Sequence, residues 1–220
     1  MVAEADLPVS WAAADTRPRG PLFFLSYARD GRATQYVADF FKDLSDDVAQ
    51  LVGRPAGSDP GFMDRSVQGG ALWLSDLLHA VGSCQVFVAL LSDPYVASEW
   101  CSKEWYAFSQ RPVRSRDTDE VTNRTGIVPI LWAPMPERPP PRVISAVQRF
   151  EPRGLEGEDI SARYRVEGVY GLKRLNRIDL YQGVVWHLAQ AIARFNFAYK
   201  VESLVLEPDN LRDIFREKPL

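Results

Sequence analysis

Apolar positions fall into short uninterrupted runs separated by stretches of helical period. Leu22-Phe23-Phe24-Leu25-Ser26 does not alternate, as expected for a strand buried on both faces of a parallel sheet. Val37, Phe40, Phe41, Leu44, Val48 and Leu51 then recur at helical spacing, with Lys42, Asp43, Asp46 and Asp47 on the other side, and predict an amphipathic helix. Beyond a Gly- and Pro-rich break, Gly61-Phe62-Met63-Asp64 is a second strand by its place in the alternation. A polar loop ends in Gly69-Gly70, after which Leu74, Leu77, Leu78 and Val81 mark a second helix. Gln85-Val86-Phe87-Val88-Ala89-Leu90-Leu91, free of charge and in part β-branched and aromatic, predicts a central strand. Residues 92–95 read as a turn, Ser98 as an N-cap and 100–108 as a third helix, followed by an Arg/Asp-rich loop over 110–125. Residues 127–132 predict a fourth strand, kept from the sheet centre because Pro129 lacks a ladder donor. Residues 133–176 show a Pro cluster, a short helical candidate at 142–149 and Gly-rich irregular chain with room for a fifth strand. Val185, Leu188, Ala189, Ile192 and Phe195 mark the last helix.

Strands alternating with helices imply an α/β class: a flavodoxin-like, doubly wound parallel sheet of five strands, joined by right-handed crossovers. The expected organisation is a flexible arm over 1–20, one domain over 21–198 and a tail or linker over 199–220. Ligands in such sheets sit beyond the carboxyl ends of the strands where strand order reverses, which nominates residues 26–30 and 92–95.

Composition narrows the chemistry. With 220 residues, 46% hydrophobic and 25% charged, the chain is an ordinary globular one, and its net charge of −3 supplies no overall positive field for nucleic acid. Two cysteines cannot build a disulfide framework, the first residues lack the basic and apolar regions of a signal peptide, and the longest apolar run is too short for a membrane helix. A soluble, cytoplasmic protein is expected. The turn after the first strand is not GxGxxG, and neither GxxxxGK[ST] nor GxSxG occurs. His79 and His187 stand alone, so no metal site is expected. Asp93 follows the third strand, yet Ser26-Tyr27 occupies the place where a phosphate-accepting domain needs a carboxylate pair for Mg²⁺.

What remains is the stretch from Leu90 to Trp105. Trp100 and Glu104 lie four apart on one helical face beside an apolar stripe of Cys101, Trp105 and Phe108. A carboxylate among indole rings at the mouth of a sheet has a perturbed acidity and stabilises a cation. The competing reading makes Trp100 and Trp105 core anchors and Glu104 a solvated residue beside Lys103.

Phe24-Leu25-Ser26-Tyr27-Ala28, Asp64 with its Gly-bearing loop and Trp73, and Ser98-Glu99-Trp100-Cys101-Ser102-Lys103-Glu104 resemble, in order, the motifs of Toll/interleukin-1 receptor (TIR) domains, over about residues 21–196. Gly61-Phe62-Met63-Asp64-Arg65 and Glu104-Trp105-Tyr106-Ala107-Phe108 resemble more particularly bacterial TIR-like proteins encoded beside FxSxx-COOH peptides. Val185-Trp186-His187 stands where the family carries a Phe-Trp pair. The resemblance implies an NAD⁺ nucleosidase that cleaves the nicotinamide N-glycosidic bond, with NAD⁺ as substrate and no cofactor. Glu104 would be catalytic. Substrate would be bound by Ser26, Tyr27, Ala28, Arg29, Asp64, Trp73, Ser92, Trp100 and Cys101. For Arg29 a phosphate contact competes with a surface pairing to Asp30, and for Trp73 ring stacking competes with a core role. Arg65, Ser66, Val67, Gln68, Gly69 and Gly70 would form an assembly loop, making the protein a homo-oligomer answering to an upstream sensor in bacterial immunity or signalling, without nucleic acid or membrane partners. The alternatives are a non-catalytic TIR interaction module and a TIR enzyme that converts NAD⁺ to a cyclic nucleotide-type signal.

Overall fold

The computed structural model describes residues 20–29, 34–53, 59–64, 71–135, 139–152 and 160–216, the side chains of 71–73 excepted. Chain order is β1 (Phe23–Ser26), α1 (Thr34–Val52), β2 (Gly61–Met63), α2 (Ala71–Ser83), β3 (Val86–Leu91), α3 (Asp93–Ala97), α4 (Glu99–Ser109), β4 (Val113–Ser115), β5 (Val121–Thr122), β6 (Ile127–Leu131), α5 (Arg142–Ser145), α6 (Ile160–Arg174), α7 (Ile178–Ala198) and β7 (Tyr199–Val201). A parallel sheet in the order β2-β1-β3-β6 forms the centre. Its register aligns Phe24 with Phe62 on one side and Phe87 on the other, and Ala89 with Pro129. Pro129 therefore lies on an edge strand, where its missing donor breaks no inner ladder.

The two-residue period of each strand sends its side chains into two separate cores. Phe23, Leu25, Val86, Val88 and Leu90 meet α1, α6 and α7 on one face. Phe24, Phe87, Ala89 and Leu91 meet α2 and α4 on the other. Phe23 is fully buried and its ring lies 2.4 Å from where a Cβ on Gly61 would stand, so the neighbouring strand needs glycine there.

Three expectations are corrected. The parallel sheet has four strands, not five, among the described residues, and the stretch with room for the fifth holds α6. Local pattern hid that helix because Gly168 breaks it: with φ of 64° the residue is non-helical and approaches the Trp132 carbonyl, 2.6 Å from where a Cβ would stand. The turn at 92–95 is the start of α3, in which Tyr95 N–H donates to the Ser92 side chain at 3.3 Å and Pro94 occupies the first turn. The loop at 110–125 contains β4 and β5, which join β7 in an antiparallel sheet of order β5-β4-β7. Its central pairing spans more than eighty residues of chain and leaves no local signal.

Residues 199–216, expected from sequence as tail or linker, lie against the domain. Gln85 both donates to and accepts from the Val201 backbone at 3.2 and 2.9 Å, Leu204 N–H donates to Gly82 O, and Phe215 is buried. The expected arm over 1–20 lies outside the described residues apart from Gly20.

Phe87 is fully buried, with its ring 5.6 Å from Phe24, 5.4 Å from Phe108 and 6.2 Å from Trp105. Phe87→Ala should therefore cost about 3–5 kcal/mol of folding stability, read as a shift of the denaturant midpoint at unchanged slope.

Candidate active site

The period that sends Phe24 into the α4-side core carries Ser26, two residues on, to the same face at the carboxyl end of β1, where it is buried. Above it, α4 begins at Ser98, whose hydroxyl accepts the Cys101 N–H at 3.2 Å and satisfies one orphan donor of the first turn. That start brings Glu104 over Ser26, and the serine hydroxyl donates to Glu104 Oε2 at 2.5 Å. Ser26 Oγ also lies 3.1 Å from the Tyr95 hydroxyl of α3. A serine has one proton, and with it committed to the carboxylate, Tyr95 is the donor in this second bond.

These groups stand at a cleft of about 230 Å³ between the ends of β1 and β2 and the start of α4. Tyr27, Arg29 and Asp64 form the sheet side, with Trp100, Cys101 and Glu104 opposite and Leu25 and Ser98 closing the lining. Arg29 and Asp64 are an ion pair, the carboxylate buried and the guanidinium side chain 40% exposed. Tyr27 hydroxyl donates to Asp64 O at 2.6 Å, so the exits of β1 and β2 are tied together.

Glu104 is only 6% exposed. Burial pushes its carboxyl up to about 7, against the Ser26 hydrogen bond, the Arg29 charge and the Trp100 indole, which favour the ionised form. The reading of Glu104 as a solvated residue is thereby corrected: Lys103 pairs with Glu99 at 2.6 Å instead, while Trp105 is a core anchor. Burial also raises the Tyr95 phenol and the Cys101 thiol well above their ordinary ranges, with Glu104 adding to both, so neither is charged near neutrality. The Cys84 thiol, elsewhere in the core, is pushed up to about 11 by burial. The carboxyl of Glu104 can exchange a proton near neutral pH, and as an anion it can stabilise positive charge in a poorly hydrated wall.

Of the residues expected at the site, the structure brings Tyr27, Arg29, Asp64, Trp100, Cys101 and Glu104 to this one cleft, with Ser26 behind Glu104. It does not bring Ala28 and Ser92 there. They line a crevice of about 30 Å³ beyond Tyr27, toward Thr34 of α1 and Trp132, far too small for a nucleotide, and the Ser92 hydroxyl is occupied in capping α3. The Trp73 side chain and Arg65, Ser66, Val67, Gln68, Gly69 and Gly70 lie outside the described residues. The Arg29 guanidinium is engaged by Asp64, so a phosphate would share it with that carboxylate. Sequence reasoning nominated the stretch 92–95 but missed the contact of the Tyr95 hydroxyl with Ser26. A lone tyrosine after a Ser-Asp-Pro turn carries no signal that its hydroxyl reaches another strand.

No helix among the described residues is long and apolar enough to cross a membrane. No curated protein and no solved structure matches the chain. A family match does exist: residues 23–165 match the TIR domain, a span that holds the end of β1 with Ser26 and Tyr27, Asp64 after β2, and α4 from Ser98 to Glu104. The match covers well over half of the chain and all four strands of the parallel sheet, and on it the chain belongs to the TIR-domain family.

Proposed function

We propose that this TIR domain hydrolyses NAD⁺ at the nicotinamide N-glycosidic bond, with Glu104 as the catalytic carboxylate. The observation that carries the reading is the Glu104 carboxylate at the wall of an aromatic-lined cleft, nearly withdrawn from water and held by Ser26 at 2.5 Å. In this reaction the bond from ribose C1′ to the ring nitrogen breaks, its electron pair passes to the pyridinium, and nicotinamide leaves neutral without a general acid. Positive charge develops on the ribose, as in sugar hydrolysis, and an ionised carboxylate facing it lowers the barrier because water competes weakly there. Water then adds to C1′ and loses a proton, giving ADP-ribose.

The size of the cleft supports a further part of the proposal. At about 230 Å³ it falls below the range of about 300–1,000 Å³ usual for drug-sized ligands, so a dinucleotide could place only its nicotinamide riboside end there. A second copy of the chain is proposed to complete the enclosure through Arg65 to Gly70, coupling turnover to self-assembly in bacterial immunity or signalling.

Glu104→Gln removes the charge at nearly constant volume. Nicotinamide release should fall by about 10²-fold or more while circular dichroism is unchanged; a variant that still cleaves NAD⁺ at the parent rate would refute the mechanism. Should the parent release no nicotinamide at any protein concentration, the chain acts as an interaction module instead.

Turnover of the parent should rise with pH through about 7, because the ionised form is the working one. Stability should move the other way. The folded carboxyl binds its proton more tightly than the unfolded one, so stability present below the unfolded value of 4.5 is lost as pH rises through about 7. Glu104→Gln abolishes that loss and should gain up to about 3 kcal/mol on the parent between pH 4 and pH 8, measured by urea unfolding at each pH.

If assembly completes the pocket, specific activity should rise with protein concentration, and Arg65→Glu should lower both activity and sedimentation-detected assembly while changing the melting temperature little. Constant specific activity over a hundredfold concentration range would place the whole pocket in one chain.

A further inference from the structure

The chain after β7 lies beyond the family match, and it grips the helix that carries Glu104. Its path starts at Leu204, whose N–H donates to Gly82 O at the end of α2; a Cβ at Gly82 would stand 2.3 Å from the Leu204 carbonyl, so the approach requires glycine. The path ends with Phe215 N–H donating to Ser102 Oγ at 2.9 Å and with the Arg216 guanidinium donating to Ala97 O at 2.9 Å. Between them the Arg212 guanidinium lies 5.9 Å from the centre of the Tyr106 ring.

Two of these contacts bear on the site. Ser102, fully buried, is two residues before Glu104 and so on the far side of α4, which is thereby held between the sheet and the segment. The Phe215 ring lies 5.9 Å from Trp105 and 6.0 Å from Tyr95. Tyr95 has its ring on Phe215 and its hydroxyl on Ser26, whose own proton goes to Glu104. One side chain thus links the segment to the hydrogen bond that holds the carboxylate. The Arg216 contact falls at the junction of α3 and α4, one residue before Ser98, which caps α4 and lines the cleft.

We infer that the segment over 202–216, through Phe215, is a positioning element of the Glu104 site: by seating Tyr95 and α4 it keeps the Ser26 hydroxyl on the Glu104 carboxylate. A serine that accepts from Tyr95 has its proton directed at Glu104 and donates more strongly than a serine free to rotate. Loss of Phe215 frees the Tyr95 ring and the Ser102 face of α4, and the Ser26–Glu104 distance is the one that lengthens. The inference rests on Glu104 being the working carboxylate of the proposed function, yet it is testable without turnover.

Among the described residues, the charged and titratable groups facing Glu104 are Arg29 after β1, with Asp64 after β2 paired to it, Tyr95 of α3 and Cys101 of its own helix. Variants of Phe215 remove none of these groups, so a shift reports a change in how they are placed. The experiment is a ¹³C NMR titration of the Glu104 carboxyl in the full chain, assigned by its loss in Glu104→Gln, for the parent, Phe215→Ala, Phe215→Leu, Tyr95→Phe and the exposed control Val205→Ala. Phe215→Ala and Tyr95→Phe should each move the midpoint upward, by about half a unit to one unit, or about three- to tenfold in the protonation equilibrium, as a stabilising hydrogen bond to the anion weakens. Phe215→Leu, which refills part of the space, should recover part of the shift, and Val205→Ala should show none. If Phe215→Ala fails to fold, Tyr95→Phe and Ser102→Ala decide by the same shift. A midpoint equal to the parent's in the folded variants, whatever their stability, overturns the inference. Absence of nicotinamide release from the parent would overturn the proposed hydrolysis alone and leave the titration result standing.

Discussion

The hydrogen bond from Ser26 to Glu104 sets the conditions that the surrounding structure has to meet. A carboxylate 6% exposed has given up most of its hydration and sits beside an arginine already engaged by Asp64. A hydrogen bond to a charged group is worth about 1.5–3 kcal/mol, enough to offset part of that loss only if the donor is held in line. Register does the first part of the holding. A slip of one residue in β1 would turn Ser26 to the opposite face and leave Glu104 over an apolar neighbour. Pairing of Phe24 with both Phe62 and Phe87 makes such a slip costly, because it would take the Phe24 ring out of its stack between the other two and into the opposite core. The Ser98 cap does the second part, fixing where α4 begins and so which of its residues arrives above the strand end.

Two openings flank Tyr27 at the carboxyl edge of the sheet, and they differ because different helices face them. The order β2-β1-β3-β6 places the reversal between β1 and β3, where the switch-point rule expects a ligand. On the face covered by α1 the opening is filled by Thr34, Val37 and Trp132 and shrinks to about 30 Å³. On the α4 face about 230 Å³ remains between the tied ends of β1 and β2 and the first turn of the helix. The rule identifies the edge of the sheet, while side-chain volume on each face decides which opening stays wide.

The family match ends at residue 165, so it includes the sheet and α4 but omits α7, which covers one face, and the segment that holds α4 from outside. Arg111 joins these layers: buried, it donates to Val81 O at the end of α2 and to Glu202 O beyond β7. Two TIR domains with the same sheet and the same glutamate could thus differ in how firmly that glutamate is set, through chain that the shared motifs do not include. A common fold carries differing functions by this kind of addition.

Much of the architecture was legible along the chain because it rests on local periods. The charge-free run at 85–91 could only be an inner strand, Pro129 marked an edge, and Ser98 marked the start of α4. The sequence also brought forward Glu104, Tyr27, Arg29, Asp64, Trp100 and Cys101, which share one cleft. It could not show the β4–β7 pairing, the partnership of Tyr95 with Ser26, the fastening of Phe215 to Ser102, or the separation of Ser92 and Ala28 from the other candidates. Nor could it show α6 through the break at Gly168. Local periodicity records which face of an element is apolar, and that alone places strands and helices. A contact between residues 69, 78 or 113 positions apart leaves no period, because its energy depends on where three-dimensional packing delivers each side chain. The sequence therefore determined the four parallel strands and nominated the carboxylate, and tertiary packing decided the second sheet, the burial and acidity of Glu104 and the cleft it faces.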